Sequence, residues 1–282
     1  YHQCQQTHSD RVITLPDLKG KSMKKLVLTL ALAAALNAPL APAADLDVRP
    51  VLNHYAELVH ANYSDALNSA RDLRTAIDAF LAAPSVALQR DAQNAWRTAR
   101  ESYGQTEAFR FYGGPIDDEH GPEGRLNAWP MDESYVDSVE GAEGAGLIND
   151  RSYAINKASI TDRNERGGEE NIATGYHAIE FLLWGQDKSE TGPGNRAYTD
   201  FVDGKAANAD RRRLYLKTVT ELLIDDLEML AKAWRQGGKV NYRARFVDGG
   251  VDSLRNLFVA MGSLSRGELA GERLEVALNS QD

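Results

Sequence analysis

Cysteine is almost absent from this chain of 282 residues, since Cys4 is its one cysteine. An internal disulfide needs two cysteines, and a structural thiolate site needs several. Cys4 also lies ahead of a leader-like segment, so we expect the mature protein to contain no cysteine. Disulfides, thiolate metal sites and cysteine nucleophiles are therefore excluded, and the hydrophobic core must supply the stability.

Two hydrolase signatures are missing as well. The sequence has no His-Glu-x-x-His, which places two zinc ligands and a glutamate base on one helix, and no Gly-x-Ser-x-Gly nucleophile elbow. An excess of positive charge is also missing, because the net charge is −9 at pH 7. So acidic a chain is a poor candidate for binding nucleic acid, and we do not expect that class of partner.

Long apolar runs are limited to one short stretch near the start of the chain. Met-Lys-Lys at 23–25 precedes a run of Leu, Val, Ala and one Thr at 26–36, and Ala-Pro-Ala follows at 41–43. This pattern is typical of a secretory signal peptide, and the run is shorter than the roughly 20 residues of a membrane span. We predict a signal peptide at 23–43 after a non-native upstream segment at 1–22; a buried helix is the alternative.

Export by this signal would place the protein in the periplasm or cell envelope. Association with the outer membrane stays open, but a lipid anchor is not indicated, because no cysteine follows the apolar run. No transmembrane span is predicted.

Apolar residues recur at helical spacing over most of the remaining chain. The predicted helices cover 48–83, 86–111, 169–184, 208–235 and, as one helix or a pair, 243–279. The strict alternation of strands is almost absent, so we predict an all-α bundle of up-and-down helices. The long connection at 112–168 is rich in Gly, Pro, Asp and Glu, but its aromatic residues favour an ordered excursion packed on the bundle.

The most informative stretch is Gly175-Tyr176-His177-Ala178-Ile179-Glu180, which continues into Phe-Leu-Leu-Trp-Gly. A histidine and a glutamate three positions apart project from the same face of a helix. The residues around them are apolar on almost every side, which predicts a buried helix. A buried carboxylate needs a partner, and for Glu180 that partner is either a metal ion or another side chain.

This stretch resembles the signature of the imelysin family of bacterial cell-envelope proteins. Further segments match the family pattern in the family's order: Trp96-Arg97, Thr106-Glu107-Ala108-Phe109-Arg110-Phe111, Gly114-Pro115-Ile116-Asp117 and Asn127-Ala128-Trp129-Pro130. The resemblance covers roughly residues 48–282. It implies an imelysin-like helical domain at 44–282, truncated at its C-terminus so that the second of two related helical halves is incomplete.

The family resemblance also bears on chemistry, since the family is linked to iron uptake and carries a metallopeptidase label. His177 and Glu180 could each donate one ligand atom to a metal ion, as the comparable Glu-x-x-His pairs do in di-iron bundles. Catalytic zinc sites use three protein ligands, and Glu107, at a matching family position, is the candidate third; Asp117 and Asp118 are candidate fourths. Histidine with carboxylate suits iron or zinc, and the family link favours iron.

Three hypotheses of function follow. The first is an exported envelope protein that binds a metal ion, iron before zinc, and serves iron uptake beside other envelope proteins. The second is a metallopeptidase that uses the His-x-x-Glu motif. The third is a helical scaffold in which His177 and Glu180 form a purely structural pair.

Overall fold

The structure, a computed structural model, describes residues 47–188, 191–238 and 241–279. From Val48 onward the chain forms one compact unit. The predicted upstream segment at 1–22 and signal peptide at 23–43 lie outside the described residues.

The described chain is built from α-helices joined by irregular segments. The helices are α1 (Arg49–Ala82), α2 (Val86–Gly104), α3 (Glu123–Leu126), α4 (Glu133–Val136), α5 (Lys157–Arg163), α6 (Gly175–Trp184), α7 (Ala209–Trp234), α8 (Tyr242–Asp248), α9 (Val251–Ser263) and α10 (Val276–Asn279). Short 3₁₀ turns cover Gln105–Phe109 and Tyr198–Phe201, and a π-helical stretch, Leu264–Glu275, joins α9 to α10. The part of the chain that the structure describes contains no strand, which confirms the all-α prediction.

Three long helices form the frame of the bundle. Helix α1 packs against α2 and α7, because its apolar residues return every three or four positions and so share one face. That face is buried from Leu52 to Phe80. The turn into α2 is fixed by Ser85, whose hydroxyl accepts a hydrogen bond from the Leu88 N–H at 3.3 Å, an N-cap that satisfies one orphan donor of the helix.

The short helix α6 is packed between α2 and α7. Its C-terminal end is held by side chains of α2: the amides of Gln89 and Gln93 both donate to the Leu183 carbonyl at 3.0 Å. Free carbonyls at the end of a buried helix are costly unless they are bonded. The two glutamines therefore fix the position of α6 along α2.

The observed helix ends differ from the predicted ones at two places. The second helix was predicted to reach residue 111 but ends at Gly104, and Phe111 is left-handed with a φ of 71°, because the Asp117 carboxylate accepts the Phe111 N–H and turns the chain. The motif helix was predicted from residue 169 but begins at Gly175. The residues before it are extended, since the Asn164 side-chain oxygen accepts the N–H groups of Ala173 and Thr174 at 2.9 and 3.2 Å.

The excursion at 112–168 is ordered, as predicted from its aromatic residues, and a buried ion-pair network anchors it. Asp137 is fully buried, and the Arg212 guanidinium of α7 donates to both of its oxygens, at 2.6 and 3.0 Å. Arg196 donates to the same carboxylate at 3.0 Å. A buried charge is tolerated only with such partners, so Asp137 connects the excursion to the bundle.

A second arginine of α7 holds the same excursion by its backbone. The guanidinium of Arg211 donates to the carbonyls of Leu147, Ile148, Asp150 and Tyr153, at distances from 2.6 to 3.0 Å. A backbone without regular structure must find partners for its polar groups. Here one side chain supplies four of them.

The Asp137 network predicts a loss of stability in acid. Burial raises the pKa of Asp137, but the hydrogen bond from Arg212 and the charges of Arg196 and Arg212 outweigh it and hold this pKa below its ordinary value. The stabilisation is therefore full above the pKa of an unfolded aspartate, about 3.9, and is lost as the pH falls through the lower folded-state value. Urea unfolding at pH 7, 5, 4 and 3 measures the free energy of unfolding of the wild type and of Asp137→Asn. The difference between the two proteins should narrow from pH 5 to pH 3. A difference that stays constant over this range would contradict the assignment.

Candidate functional site

Helix α6 buries every residue except the two polar ones. The eight apolar or small residues of Gly175–Trp184 are buried, while His177 and Glu180 are half-buried. The side chain of Glu180 is 40% exposed, so this carboxylate is only partly buried, whereas the sequence predicted a buried one. The two polar residues share the face of the helix that opens toward solvent.

The structure brings His177 and Glu180 together, as their spacing predicted. The Nδ1 atom of His177 lies 3.0 Å from Oε2 of Glu180. If Nδ1 carries the proton and donates it, Nε2 is left with the lone pair that binds a ligand. Histidines that bind metals commonly donate their other ring N–H to a carboxylate, which fixes the tautomer and orientation of the ring.

The pair lies in the wall of a cavity of about 360 Å³. The other walls come from α2, from the excursion and from the segment after α6. The residues that line them include Trp96, Arg97, Trp129, Glu133, Trp184 and Asp187. The indole ring of Trp129 lies against the His177 ring, with 4.8 Å between their centroids.

Negative charge accumulates in this cavity. Burial raises the pKa of Glu133, the charge of Arg196 opposes this, and the nearby charges of Asp187, Asp132 and Glu180 add to the rise. Carboxylates that raise one another's pKa favour a cation among them. The cavity therefore suits a positively charged ligand.

The start of α6 is set by Gly175. This glycine has a φ of +78°, and a Cβ built on it would lie 2.5 Å from the Leu126 carbonyl oxygen and 2.6 Å from that of Arg125. The hydroxyl of Thr174 donates to the Arg125 carbonyl at 2.9 Å. The glycine of Gly-x-His-x-x-Glu thus permits the close backbone approach that aims His177 into the cavity.

Glu107, the predicted third ligand, is buried but is not among the lining residues of this cavity. Its carboxylate accepts a hydrogen bond from Arg273, in the π-helical stretch, and lies 3.9 Å from the Arg100 guanidinium. The structure does not join Glu107 to His177 and Glu180 in one cluster. Its role as a ligand stays a prediction, and any such role requires its release from Arg273.

The two candidate fourth ligands are occupied by local backbone contacts. The Asp117 carboxylate accepts the N–H groups of Phe111 and Gly114, and Asp118 accepts that of His120 at 2.9 Å. Across residues 47–188, 191–238 and 241–279, no group of three His, Cys, Asp or Glu side chains is placed to hold a metal ion. Of the predicted ligands, the structure therefore brings together only His177 and Glu180.

Sequence reasoning missed Glu133 and Asp187 as lining residues of the cavity. Neither belongs to a spaced motif. Glu133 begins the short helix α4 and Asp187 lies in the segment after α6, and the tertiary fold brings both to the cavity. Trp129 is part of the matching segment Asn127-Ala128-Trp129-Pro130, which was the one available signal. Trp96 and Trp184 are buried in the core, and both also line the cavity.

The protein is thus an all-α bundle in which a short, mostly buried helix presents a His–Glu pair to a cavity. Residues 59–282 match the Imelysin family model, a family that carries a peptidase label, so the chain belongs to the Imelysin family. Among the helices that the structure describes, none is long and apolar enough to span a bilayer.

Two relatives are similar to parts of the chain. A protein named Iron-regulated protein A, from Synechococcus elongatus, is 28% identical over 116 residues, which are 38% of this chain and 32% of that protein. The crystal structure of an iron-regulated protein A precursor from Parabacteroides distasonis superposes with a TM-score of 0.52 at 22% identity, over 76% of this chain and 54% of that chain. This likeness shows the fold alone, and the chain spans about half of the solved relative and a third of the curated one.

Proposed function

We propose that this chain binds a metal ion, iron before zinc, through His177 and Glu180, and that it does so in iron uptake at the cell envelope. The observation that carries the proposal is the 3.0 Å contact of these two side chains in the wall of an acidic cavity. The relatives' names, which describe iron-regulated proteins, support iron as the metal. The leader predicted at 23–43 supports export, and other envelope proteins of iron uptake would be the partners.

The donor set agrees with this metal in kind. Imidazole nitrogen and carboxylate oxygen suit iron or zinc, whereas a hard ion such as calcium prefers oxygen alone. His177 would bind through Nε2, because Nδ1 faces Glu180, and Glu180 would orient the ring. Glu180 could bind the ion itself only after giving up its contact with Nδ1. A bound iron would supply redox or Lewis-acid chemistry; the residues themselves supply binding, orientation and negative charge.

Metal content of the purified chain tests the proposal. After loading with Fe²⁺ without oxygen, or with Zn²⁺, and removal of excess, elemental mass spectrometry should give about one ion per chain, falling at least tenfold in His177→Ala, the loss expected when a ligand is removed. Glu180→Ala should give the same fall or a smaller one if Glu180 only orients the ring. His54→Ala and Glu101→Ala, which alter exposed residues of α1 and α2, are the matched controls and should keep the metal.

If the wild type contains no metal, or if His177→Ala keeps the full metal content, the proposal is wrong. The scaffold hypothesis would then be the one that is left. Glu107→Gln belongs in the same series. Loss of metal in that variant would show that Arg273 releases Glu107 to act as the third ligand, and retention would remove Glu107 from the site.

A metallopeptidase is the second candidate, supported by the family's peptidase label and by Glu133. This carboxyl lines the same cavity, and burial raises its pKa, the direction that makes a carboxylate a better general base. Metal-dependent cleavage of an unfolded protein such as casein, abolished in both His177→Ala and Glu133→Gln, would establish it. Metal binding without cleavage would favour the uptake function.

A further inference from the structure

The cavity beside His177 is much larger than a metal ion requires. Bonds from a metal to nitrogen or oxygen are about 2 Å long, whereas the cavity has a volume of about 360 Å³. Sites for small organic molecules start at about 300 Å³ and combine aromatic walls with a few polar groups. The volume therefore leaves room for an organic molecule next to the ion.

Three tryptophans meet at this cavity. Of the four tryptophans of the chain, Trp96, Trp129 and Trp184 line the cavity. Two of them are already engaged: the indole N–H of Trp96 donates to the Tyr176 carbonyl at 2.9 Å, and the Arg97 guanidinium lies 5.1 Å above the Trp184 ring. These two form a fixed back wall.

Trp129 differs from the other two because it is 69% exposed. Its ring nevertheless keeps contact with the His177 ring, at a centroid distance of 4.8 Å and an interplanar angle of 52°. Aromatic pairs at this distance attract one another. An exposed indole beside the candidate ligand offers one open face to a flat molecule that is bound at His177.

The number of protein donors also calls for a ligand from outside. His177 and Glu180 supply two at most. Glu133 and Asp187 line the same cavity, but among the described residues no group of three such side chains is placed to hold one metal ion. Metal ions of this class take four or more donors. A bidentate organic chelator would fill the positions that are left.

Charge limits the kind of chelator. Among the described residues, the cavity is lined by three carboxylates, Glu133, Glu180 and Asp187, against the guanidinium of Arg97. A chelate with several negative charges would be repelled by this wall. A neutral planar chelator, whose metal complex keeps the positive charge of the ion, is the class that fits.

We propose that the cavity binds its metal as a complex with a neutral, planar aromatic chelator, which stacks on Trp129 while His177, oriented by Glu180, holds the ion. This inference rests on the proposed function, because it assumes the metal at His177. It adds that the cargo is a chelate instead of a hydrated ion and that Trp129 selects it.

Two chelators of equal donor type and charge test the inference. Bound to Zn²⁺, 2,2′-bipyridine and ethylenediamine are both neutral ligands with two nitrogen donors, but only the first is planar and aromatic. Free ethylenediamine is protonated near neutral pH, so all titrations are made at about pH 8 with the complexes formed beforehand. Calorimetric titration with Zn²⁺ alone and with each equimolar Zn²⁺ complex should show the bipyridine complex binding about tenfold tighter than the ethylenediamine complex, the scale of one aromatic stack. Tryptophan fluorescence should change with the first complex and much less with the second.

The variants separate stacking from folding. Trp129→Ala should remove the preference and make both complexes bind alike, and Trp129→Phe should restore part of it. Because Trp129 is exposed, both variants should keep the wild-type unfolding midpoint. Phe258→Ala, which removes another exposed aromatic ring on α9, is the matched control and should keep the full preference.

Each other outcome overturns the inference in a different way. Equal affinity of the wild type for Zn²⁺ and both complexes, lost in His177→Ala, would leave the metal site and remove the chelate. Binding of 2,2′-bipyridine without metal, unchanged in His177→Ala, would show an aromatic pocket that does not use the ion. No binding in any form would overturn the metal function together with the chelate.

Discussion

Replacing Asp137 by alanine should lower the free energy of unfolding by about 3–5 kcal/mol, the usual result of removing one partner from a buried ion pair. Arg212 and Arg196 both donate to this carboxylate, and the side chains of both arginines are only 6% exposed. Without Asp137, two buried positive charges face each other, and Asp200 is the described carboxylate that is left to balance Arg196. This loss is a large share of the stability of a typical domain.

Urea unfolding followed by circular dichroism measures this effect at pH 7. Asp203→Ala is the control, because Asp203 also pairs with an arginine of α7, Arg213, but has a side chain that is 74% exposed. Exposed ion pairs contribute less than about 1 kcal/mol. Equal and small losses in the two variants would show that the network around Asp137 does not hold the excursion in place.

Replacing Gly175 by alanine should cost about 2–5 kcal/mol, the sum of a left-handed backbone, about 1–2 kcal/mol, and of overpacking, about 1–3 kcal/mol. The φ of +78° disfavours any side chain, and the new Cβ would lie 2.5 Å from the Leu126 carbonyl oxygen. Since both obstacles are backbone, relief requires a shift of α6 or of α3. A shift of α6 moves His177, so the variant should also bind less metal.

Gly262→Ala is the matched control for this substitution. Gly262 lies inside α9, and the position that a Cβ would take there has open space around it, with no described atom within 4 Å. Alanine should therefore be neutral or stabilising by up to about 1 kcal/mol. Denaturant unfolding and metal content should be measured on both variants. If Gly175→Ala unfolds like the wild type and keeps its metal, the glycine of the motif does not position the histidine.

The fold was predictable from the sequence because its long helices carry long, regular apolar stripes. The stripe on α1 and the one on α7 each repeat over many turns, and their helical class is confirmed. The ends of α2 and α6 were predicted wrongly for a shared reason. In each case a side chain from another segment accepts a backbone N–H and turns the chain near the helix end: Asp117 does so after α2 and Asn164 before α6. The spacing of apolar residues cannot predict such a contact.

The site was predictable only in part. Helical spacing is enough to place His177 beside Glu180, and the structure has them 3.0 Å apart. The same spacing says nothing about Glu133, in the short helix α4, or about Asp187, in the segment after α6, which the tertiary fold brings to the cavity. It also cannot show that Glu107 is bonded to Arg273, a residue that lies 166 positions further along the chain.

The walls of the cavity come from segments that are far apart along the chain, and this sets the order of events during folding. Trp96 meets Tyr176 across 80 positions, and the excursion that carries Trp129 is anchored to α7 through Arg211 and Arg212. Contacts of such long range form slowly, since the loops between them must close first. The cavity therefore comes into existence only once the polypeptide has folded through α7, so a metal ion that used the proposed site would enter it after folding.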